Sequence, residues 1–224
     1  MTTAPRPEGT PSTAATRGFI IAGTNTDIGK TVFAAALAEA IDADYWKPVQ
    51  AGTNVETDSE VVARLANGRA GRVHPECYRL TTPCSPHRAA MIDGVSIDLS
   101  LLVSRPQTVH PLLIELAGGL LVPLTDDTLQ ADIVARWGLP VVLCATTALG
   151  TINHSLLSVE AIARRGLVLH GIAFIGEAND ETEAIICAFA RTRRLGRMPL
   201  LQALDTAHLA AAFARNFRRE DFAP

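Results

Sequence analysis

Apolar and polar residues fall in blocks along this chain, and the block length changes with position. Short, continuous apolar runs rich in β-branched residues read as strands buried on both faces. Such runs are Gly18-Phe19-Ile20-Ile21-Ala22, which stops at Gly23, then Tyr45 to Val49, Leu112-Leu113-Ile114-Glu115, Pro140 to Ala145 and Leu167 to Ile175. Longer segments with apolar residues at helical spacing stand between them. From Thr31 the residues Val32, Ala35, Ala36, Leu37 and Ala38 predict a helix of about three turns, broken by Asp42 and Asp44. Further helices are expected from Glu60 to Ala66, ended by Asn67-Gly68, from Ile152 to Ala163 and from Thr206 to Asn216. Between Gly68 and Pro86 the period weakens, and a loop near the working face is expected. Strands alternating with helices over most of the length predict an α/β fold: one domain, with a mainly parallel sheet flanked by helices and joined by right-handed crossovers.

Composition narrows this picture. The chain has 224 residues, 48% of them apolar and 19% charged, enough to bury a sizeable core. Aromatic residues are few, so the core must rest on Ala, Leu, Ile and Val. A formal net charge of −3 leaves no excess of basic residues to track a nucleic-acid backbone. The basic Arg215, Arg218 and Arg219 read as a solvated helix end. No apolar run reaches the roughly 18 residues that a membrane span requires. Residues 1–17 carry Pro5, Pro7 and Pro11 but no charged-then-apolar leader, and are expected to be a flexible tail before a domain at 18–224. Cys77, Cys84, Cys144 and Cys187 form no C-x-x-C pair and read as buried thiols in a reducing cytosol.

Candidate chemistry starts at Gly23-Thr24-Asn25-Thr26-Asp27-Ile28-Gly29-Lys30-Thr31, where the first strand passes into the first helix. That is the context of a phosphate-binding loop. Backbone amides and the helix N-terminus would cradle phosphate oxygens, Lys30 would reach the β and γ phosphates, and the Thr31 hydroxyl would hold Mg²⁺. The first glycine stands one step earlier than in the usual pattern, so five residues separate Gly23 from Gly29. Lys47 closes the second predicted strand. Parallel strands deliver their carboxyl ends to one edge, which would face Lys47 and Lys30 into a common crevice, where two ammonium groups can offset transition-state charge. Asp58, at the start of a helix, and Glu115, at the end of an apolar strand, are the candidate metal carboxylates. Leu149-Gly150-Thr151-Ile152-Asn153-His154 opens a helix after a strand, and serves equally as a carboxylate-binding helix N-terminus or as a plain cap.

Taken together these motifs resemble the dethiobiotin synthetase family over nearly all of residues 18–210. GTNTDIGKT is similar to the family's GTDT-x-x-GKT, WKPVQAG to Y-x-KPV-x-TG, ELAGGLLVPL to EGAGG-x-x-x-P, and LGTINHSLL to LG-x-INH-x-LL. The resemblance implies a homodimeric, ATP-dependent, Mg²⁺-requiring ligase of biotin biosynthesis. It would carboxylate 7,8-diaminononanoate with CO₂, phosphorylate the carbamate with a nucleoside triphosphate, and close the ureido ring from the mixed anhydride. By the same resemblance Lys47, Lys30 and Thr26 are catalytic, and Asp27, Ile28, Gly29, Lys30, Thr31 and Val32 hold the nucleotide phosphates. Thr31, Asp58 and Glu115 hold Mg²⁺. Leu116, Ala117, Gly118, Ile175 and Gly176 border the nucleotide. Thr26, Lys47, Ala51 and the segment Gly150, Thr151, Ile152 and Asn153 receive the substrate, the last four across the dimer interface.

Departures from the family pattern carry their own expectations. Ala51 lacks the hydroxyl that Ser or Thr usually presents there. Leu116 replaces the first glycine of EGAGG, so a side chain intruding beside the site, or a rearranged backbone, is expected. Ile175-Gly176 stand where an Asn-Asp pair is familiar, which removes an adenine-reading amide and puts the preference for ATP over other triphosphates in question. Asp205-Thr206-Ala207, near the usual base position, also differs. Other readings of the same loop are an amide-forming ligase acting on another acid, a nucleotide-switched partitioning-type ATPase, and a family member that binds nucleotide without making the ring.

Overall fold

The computed structural model describes residues 17–66 and 72–223. Nine strands and eight helices alternate through them: β1 (Gly18–Gly23), α1 (Lys30–Ile41), β2 (Asp44–Trp46), β3 (Val49–Ala51), α2 (Asp58–Leu65), β4 (Val73–His74), β5 (Tyr78–Leu80), α3 (Pro86–Asp93), α4 (Leu99–Val103), β6 (Leu112–Gly119), α5 (Gln130–Trp137), β7 (Val141–Thr146), α6 (Thr151–Arg164), β8 (Leu169–Ile175), α7 (Asp180–Ala190), β9 (Arg194–Met198) and α8 (Thr206–Asn216). A short 3₁₀ turn, Arg219–Phe222, follows. Seven strands form a parallel sheet in the order β4-β2-β6-β1-β7-β8-β9, and β3 pairs with β5 in a separate parallel ribbon.

Alternation along each strand builds two cores. On β1, Phe19 and Ile21 face α1, α2 and α8, while Ile20 and Ala22 face α3, α4, α5, α6 and α7. The first face is packed with alanines of α1 (Ala34, Ala35, Ala36, Ala38), which let the helix lie close on the sheet. Phe222 closes that face at its far end: it is fully buried, with ring centroids 5.9 Å from Phe19 and from Phe213 and 6.2 Å from Phe33.

Four expectations change. The strand expected from Tyr45 to Val49 is two strands in two sheets, because Pro48 has no N–H to continue a ladder. The expected loop after Gly68 holds β4 and β5 in its described part. β6 does not end at Glu115 but runs on to Gly119. Of the four thiols only Cys144 is buried; Cys84 is exposed and Cys77 and Cys187 are partly so, all four unpaired. The proposed helix stop at Asn67-Gly68 and residues 1–16 of the proposed tail lie outside the described residues. Arg17, also assigned to the tail, already bonds to the fold through its carbonyl, which accepts from Leu112 N at 2.8 Å. Among the described residues no helix is long and apolar enough to cross a membrane. Arg215, Arg218 and Arg219 are exposed.

Phe222→Ala should empty a ring-sized volume against five other rings, those of Phe19, Phe33, His170, Phe213 and Phe217, and lower the unfolding free energy by about 3–5 kcal/mol; urea denaturation followed by fluorescence measures it, and a midpoint within error of wild type would contradict the packing argument.

Candidate active site

β1 ends at Gly23, and residues 24–29 turn the chain into α1, whose first residue is Lys30. Two positions show why this loop has its residues. A Cβ on Gly23 would lie 2.8 Å from Lys30 Cδ and 2.9 Å from the Asn25 carbonyl, so only glycine lets the lysine fold back over the loop. Gly29 caps α1 at φ 92°, in the left-handed region. Asp27 also sits there, at φ 54°, a conformation that costs a non-glycine residue about 1 kcal/mol. Lys30 Nζ donates to the Asn25 carbonyl at 3.0 Å. Burial pulls the Lys30 ammonium below its ordinary pKa, with Glu115 opposing.

Beside the loop, three further segments converge. Lys47 follows directly on β2, where Pro48 forces the chain out of the sheet. Asp58 is the first residue of α2, fixed by a capping box in which Thr57 Oγ1 accepts from Glu60 N and Glu60 Oε2 accepts from Thr57 N at 2.8 Å. Glu115 projects from β6 and is 1% exposed. Lys47 Nζ donates to Asp58 Oδ2 and to Glu115 Oε1, the latter at 3.2 Å. Thr31 Oγ1 lies 2.6 Å from Asp58 Oδ1 and 2.9 Å from Glu115 Oε1, so one hydroxyl proton stands between two acceptors. Burial works against the charge on Lys47, yet the carboxylates of Glu115 and Asp58 outweigh it and hold the ammonium above the ordinary lysine value. Burial likewise opposes the Asp58 charge, and Lys47 prevails, keeping that carboxyl below its ordinary value.

A cavity of about 600 Å³ opens onto this cluster. Thr26, Asp27, Lys47, Ala51 and Asp58 line one side, Ala117 and Gly118 continue it, and Cys84, Ser85 and Pro86 from the start of α3 face them. Of the two outcomes expected at Leu116, the intruding side chain is not found, since it is 1% exposed and packs in the core face opposite Glu115, whereas the backbone is rearranged, the register with β1 shifting between Glu115 and Gly119. The alternation of β6 explains the side chain's direction, since neighbouring residues point to opposite faces. Ile175 lies against the loop, where a Cβ on Gly29 would come within 3.0 Å of Ile175 Cγ2, and Gly176, at φ 130°, is packed under Thr147. Ile28 and Val32 are partly buried against the same core. Gly150, Thr151, Ile152 and Asn153 begin α6 away from the Lys47 cavity; Gly150 caps the helix at φ 93° and Thr151 is buried.

Sequence reasoning passed over two residues that shape the cluster. Tyr45 is fully buried and its Oη donates to Glu115 Oε2 at 2.9 Å, which turns Oε1 toward Thr31 and Lys47. The available signal was a tyrosine inside a strand buried on both faces, where a phenol needs a partner. Gln50 accepts from Asp58 N through Oε1 at 3.3 Å; its neighbourhood gave no comparable sign.

Thr31, Asp58 and Glu115 could hold a divalent cation. Their convergent atoms are a hydroxyl and carboxylate oxygens with no nitrogen or sulfur ligand, a set that suits Mg²⁺, which usually takes few protein ligands and keeps waters and phosphate oxygens.

A buried strand, a loop closed by Gly29-Lys30-Thr31 on a helix N-terminus, and two carboxylates brought to it, Glu115 by the neighbouring parallel strand β6 and Asp58 by the start of α2, define a phosphate-loop nucleoside triphosphatase fold. Solved structures agree: a ParA family ATPase from Chlorobium tepidum matches with TM-score 0.51 at 11% identity over 90% of this chain and 98% of its own, and the septum site-determining protein MinD from Pyrococcus horikoshii with TM-score 0.53 at 10% identity over 88% and 94%. A family model described as AAA domain matches residues 17–208. Proteins named ATP-dependent dethiobiotin synthetase BioD are far more similar: 56% identical in Novosphingobium aromaticivorans over 92% of this chain and 98% of the relative, 58% in Rhodopseudomonas palustris strain BisB18 over 91% and 97%, and 55% in Brucella ovis over 92% and 96%. The chain belongs to the dethiobiotin synthetase family.

Tyr45→Phe should leave Glu115 Oε2 without its donor and cost about 1–3 kcal/mol at pH 7. Burial, followed by the Glu115 charge, raises the phenol well above its ordinary value. Its contribution is therefore complete below the ordinary phenol range and is lost as pH rises through the folded value. The gap between wild type and variant should narrow above about pH 10; a gap that is constant across a pH series of urea melts would overturn this.

Proposed function

We propose that this protein is an ATP-dependent ligase that makes dethiobiotin from 7,8-diaminononanoate, CO₂ and a nucleoside triphosphate. The observation that carries the reading is the Lys47 ammonium bridging Asp58 and Glu115 beside the phosphate loop, at the edge of a cavity large enough for a small aliphatic substrate. One amine of the diamine adds to CO₂ and gives up a proton, forming a carbamate. A carbamate oxygen then attacks the γ-phosphorus as the bond to the nucleoside diphosphate breaks. The second amine attacks the carbonyl carbon of the resulting carbamic–phosphoric anhydride and gives up a proton, and phosphate leaves as the ring closes.

Each step draws on residues near the cavity. Lys30 neutralises the triphosphate from the loop side, and Lys47 faces the carbamate and the transferring phosphoryl group, so that charge developing between them meets two fixed cations. Thr26, at the mouth of the loop, orients an amine. Asp27 through Val32 hold the phosphates, and Thr31, Asp58 and Glu115 hold Mg²⁺. Bound there, the metal supplies charge neutralisation at the phosphate oxygens. Ala51 offers the substrate no hydroxyl, so that wall is purely steric. Ala117 and Gly118, which border the nucleotide, also line the cavity beside Lys47 and Thr26, and their small size leaves room there for the substrate.

Gly150 to Asn153 serve a second copy of the chain. They take the substrate carboxylate across a homodimer interface, using the α6 N-terminus. Leu149, Ile152 and Leu157 beside them are exposed, as is Leu121 on the loop after β6, and an apolar face of this kind favours association. The cytoplasm, where CO₂ and ATP are at hand, is the proposed compartment. Nucleic acid and membrane are not proposed partners.

Purified protein with Mg²⁺, bicarbonate and ATP should release phosphate only when diaminononanoate is present, with dethiobiotin found by mass in equal amount; release without the diamine would point to a partitioning-type switch instead. Lys47→Ala should lower turnover by about 10²-fold or more while nucleotide affinity stays within about threefold, measured by equilibrium titration.

The nucleobase gives an independent check. Ile175 has no amide to offer, so kcat/KM for ATP, CTP and GTP should fall within about tenfold of one another, whereas a site with a dedicated polar reader discriminates by orders of magnitude. A strong ATP preference in the wild-type protein would show that another group reads the base.

A further inference from the structure

We infer that Gln130, the first residue of α5, is a positioning residue that sets the substrate wall of the cavity from behind. The reason lies in the register of β6. Ile21 of β1 pairs with Glu115 and Gly23 pairs with Gly119, so three residues of β6, Leu116 to Gly118, oppose the single Ala22. The strand therefore bulges just past Glu115, and the backbone groups of the bulge leave the ladder. Buried backbone groups need partners.

Gln130 supplies them. Its Oε1 accepts from Ala117 N at 2.9 Å, and its Nε2 donates to the Ala117 carbonyl at 3.0 Å and to the Gly119 carbonyl at 3.0 Å. The amide thus acts as a rung in place of the missing strand. Gln130 is 4% exposed, and both of its amide hydrogens and its oxygen are engaged, so a flipped amide would set oxygen against two carbonyls. Its own backbone N donates to the Val122 carbonyl at 2.9 Å, which ties the far end of the same loop.

The clamp matters because of what stands on the bulge. Ala117 and Gly118 line the cavity with Lys47 and Thr26, whereas Gln130 does not reach it. Gly118 is at φ 68°, and a Cβ there would lie 3.1 Å from Thr26 Oγ1 and 3.4 Å from Val122 Cγ2, so its backbone is already pressed close to the loop hydroxyl. A small shift of the bulge would move the surface that the diamine meets. The loop at residues 24–31 has anchors outside the bulge, Thr24 N donating to the Cys144 carbonyl at 3.0 Å and Lys30 Nζ to the Asn25 carbonyl at 3.0 Å, which hold it independently. The assignment of that wall to the diamine rests on the reading in the preceding section.

Two substitutions test this, Gln130→Leu and Gln130→Glu. For the leucine variant the expected result is a KM for diaminononanoate raised about tenfold or more, a KM for ATP within about twofold of wild type, and faster hydrogen exchange confined to residues 116–119. The glutamate variant should show the same defect near neutral pH and recover in part as pH falls, because the protonated carboxyl can again donate to a bulge carbonyl. Equal changes in both KM values, or a lower thermal midpoint with unchanged KM values, would reduce Gln130 to a structural residue and overturn the proposal. Wild-type protein that makes no dethiobiotin would overturn the functional reading instead, and hydrogen exchange would still decide the clamp: unaltered exchange across 116–119 in both variants sinks it.

Discussion

Lys47 carries its charge where water hardly reaches, 5% exposed at the end of a strand, and much of the site's arrangement follows from the need to satisfy it. An isolated ammonium in such a place would cost several kcal/mol or lose its proton. Two carboxylates prevent this, and they come from segments far apart in sequence: Asp58 from the first turn of α2 and Glu115 from the middle of the sheet. Thr31 joins the same pair from α1. The cluster thus fastens α1, β2, α2 and β6 to one another at a single point. Its charge count also bears on function, since two carboxylates outnumber the one ammonium they bind and leave a partly negative pocket of oxygens.

Parallel pairing makes that convergence possible. Every pair in the seven-stranded sheet is parallel, so β1, β2 and β6 all present their carboxyl ends at the same edge. β6 runs between β2 and β1, which places Glu115 between Lys47 and the loop that carries Lys30. A side chain on either neighbouring strand would reach only one of them. Tyr45, on β2 itself, then fixes the carboxylate from the buried side, and both of its oxygens become directional.

Much of this was legible in the sequence where local pattern and tertiary demand coincide. The strand at 18–22, the loop through Thr31, the helix at 206–216 and the pairing of Lys30 with Lys47 at one edge all follow from runs of apolar residues and from parallel topology. What escaped was set by contacts distant in sequence. β4 and β5 are two and three residues long and have no period of their own; they exist because β2 and β3 offer them a ladder. The break at Pro48 was written in the chain, yet its consequence, two sheets in place of one strand, depends on which neighbour each half finds. Gln130 opens a helix that the apolar pattern did not reveal, and its role depends on a bulge in another element.

Leu116 shows how a departure from a family motif can mislead when it is read as a string. At a position that is usually glycine, a leucine suggests a crowded site. In the fold the position lies on the face of β6 away from Glu115, and the added side chain fills core volume with Leu120 and Leu124. The residues that must stay small are the next ones, where the strand has left its register: Gly118 because of its positive φ and its closeness to Thr26, Ala117 because it lines the cavity. The motif therefore encodes a bulge more than a run of glycines. A bulge can be kept with a larger residue at its start, provided that something behind it satisfies the backbone that the ladder has released.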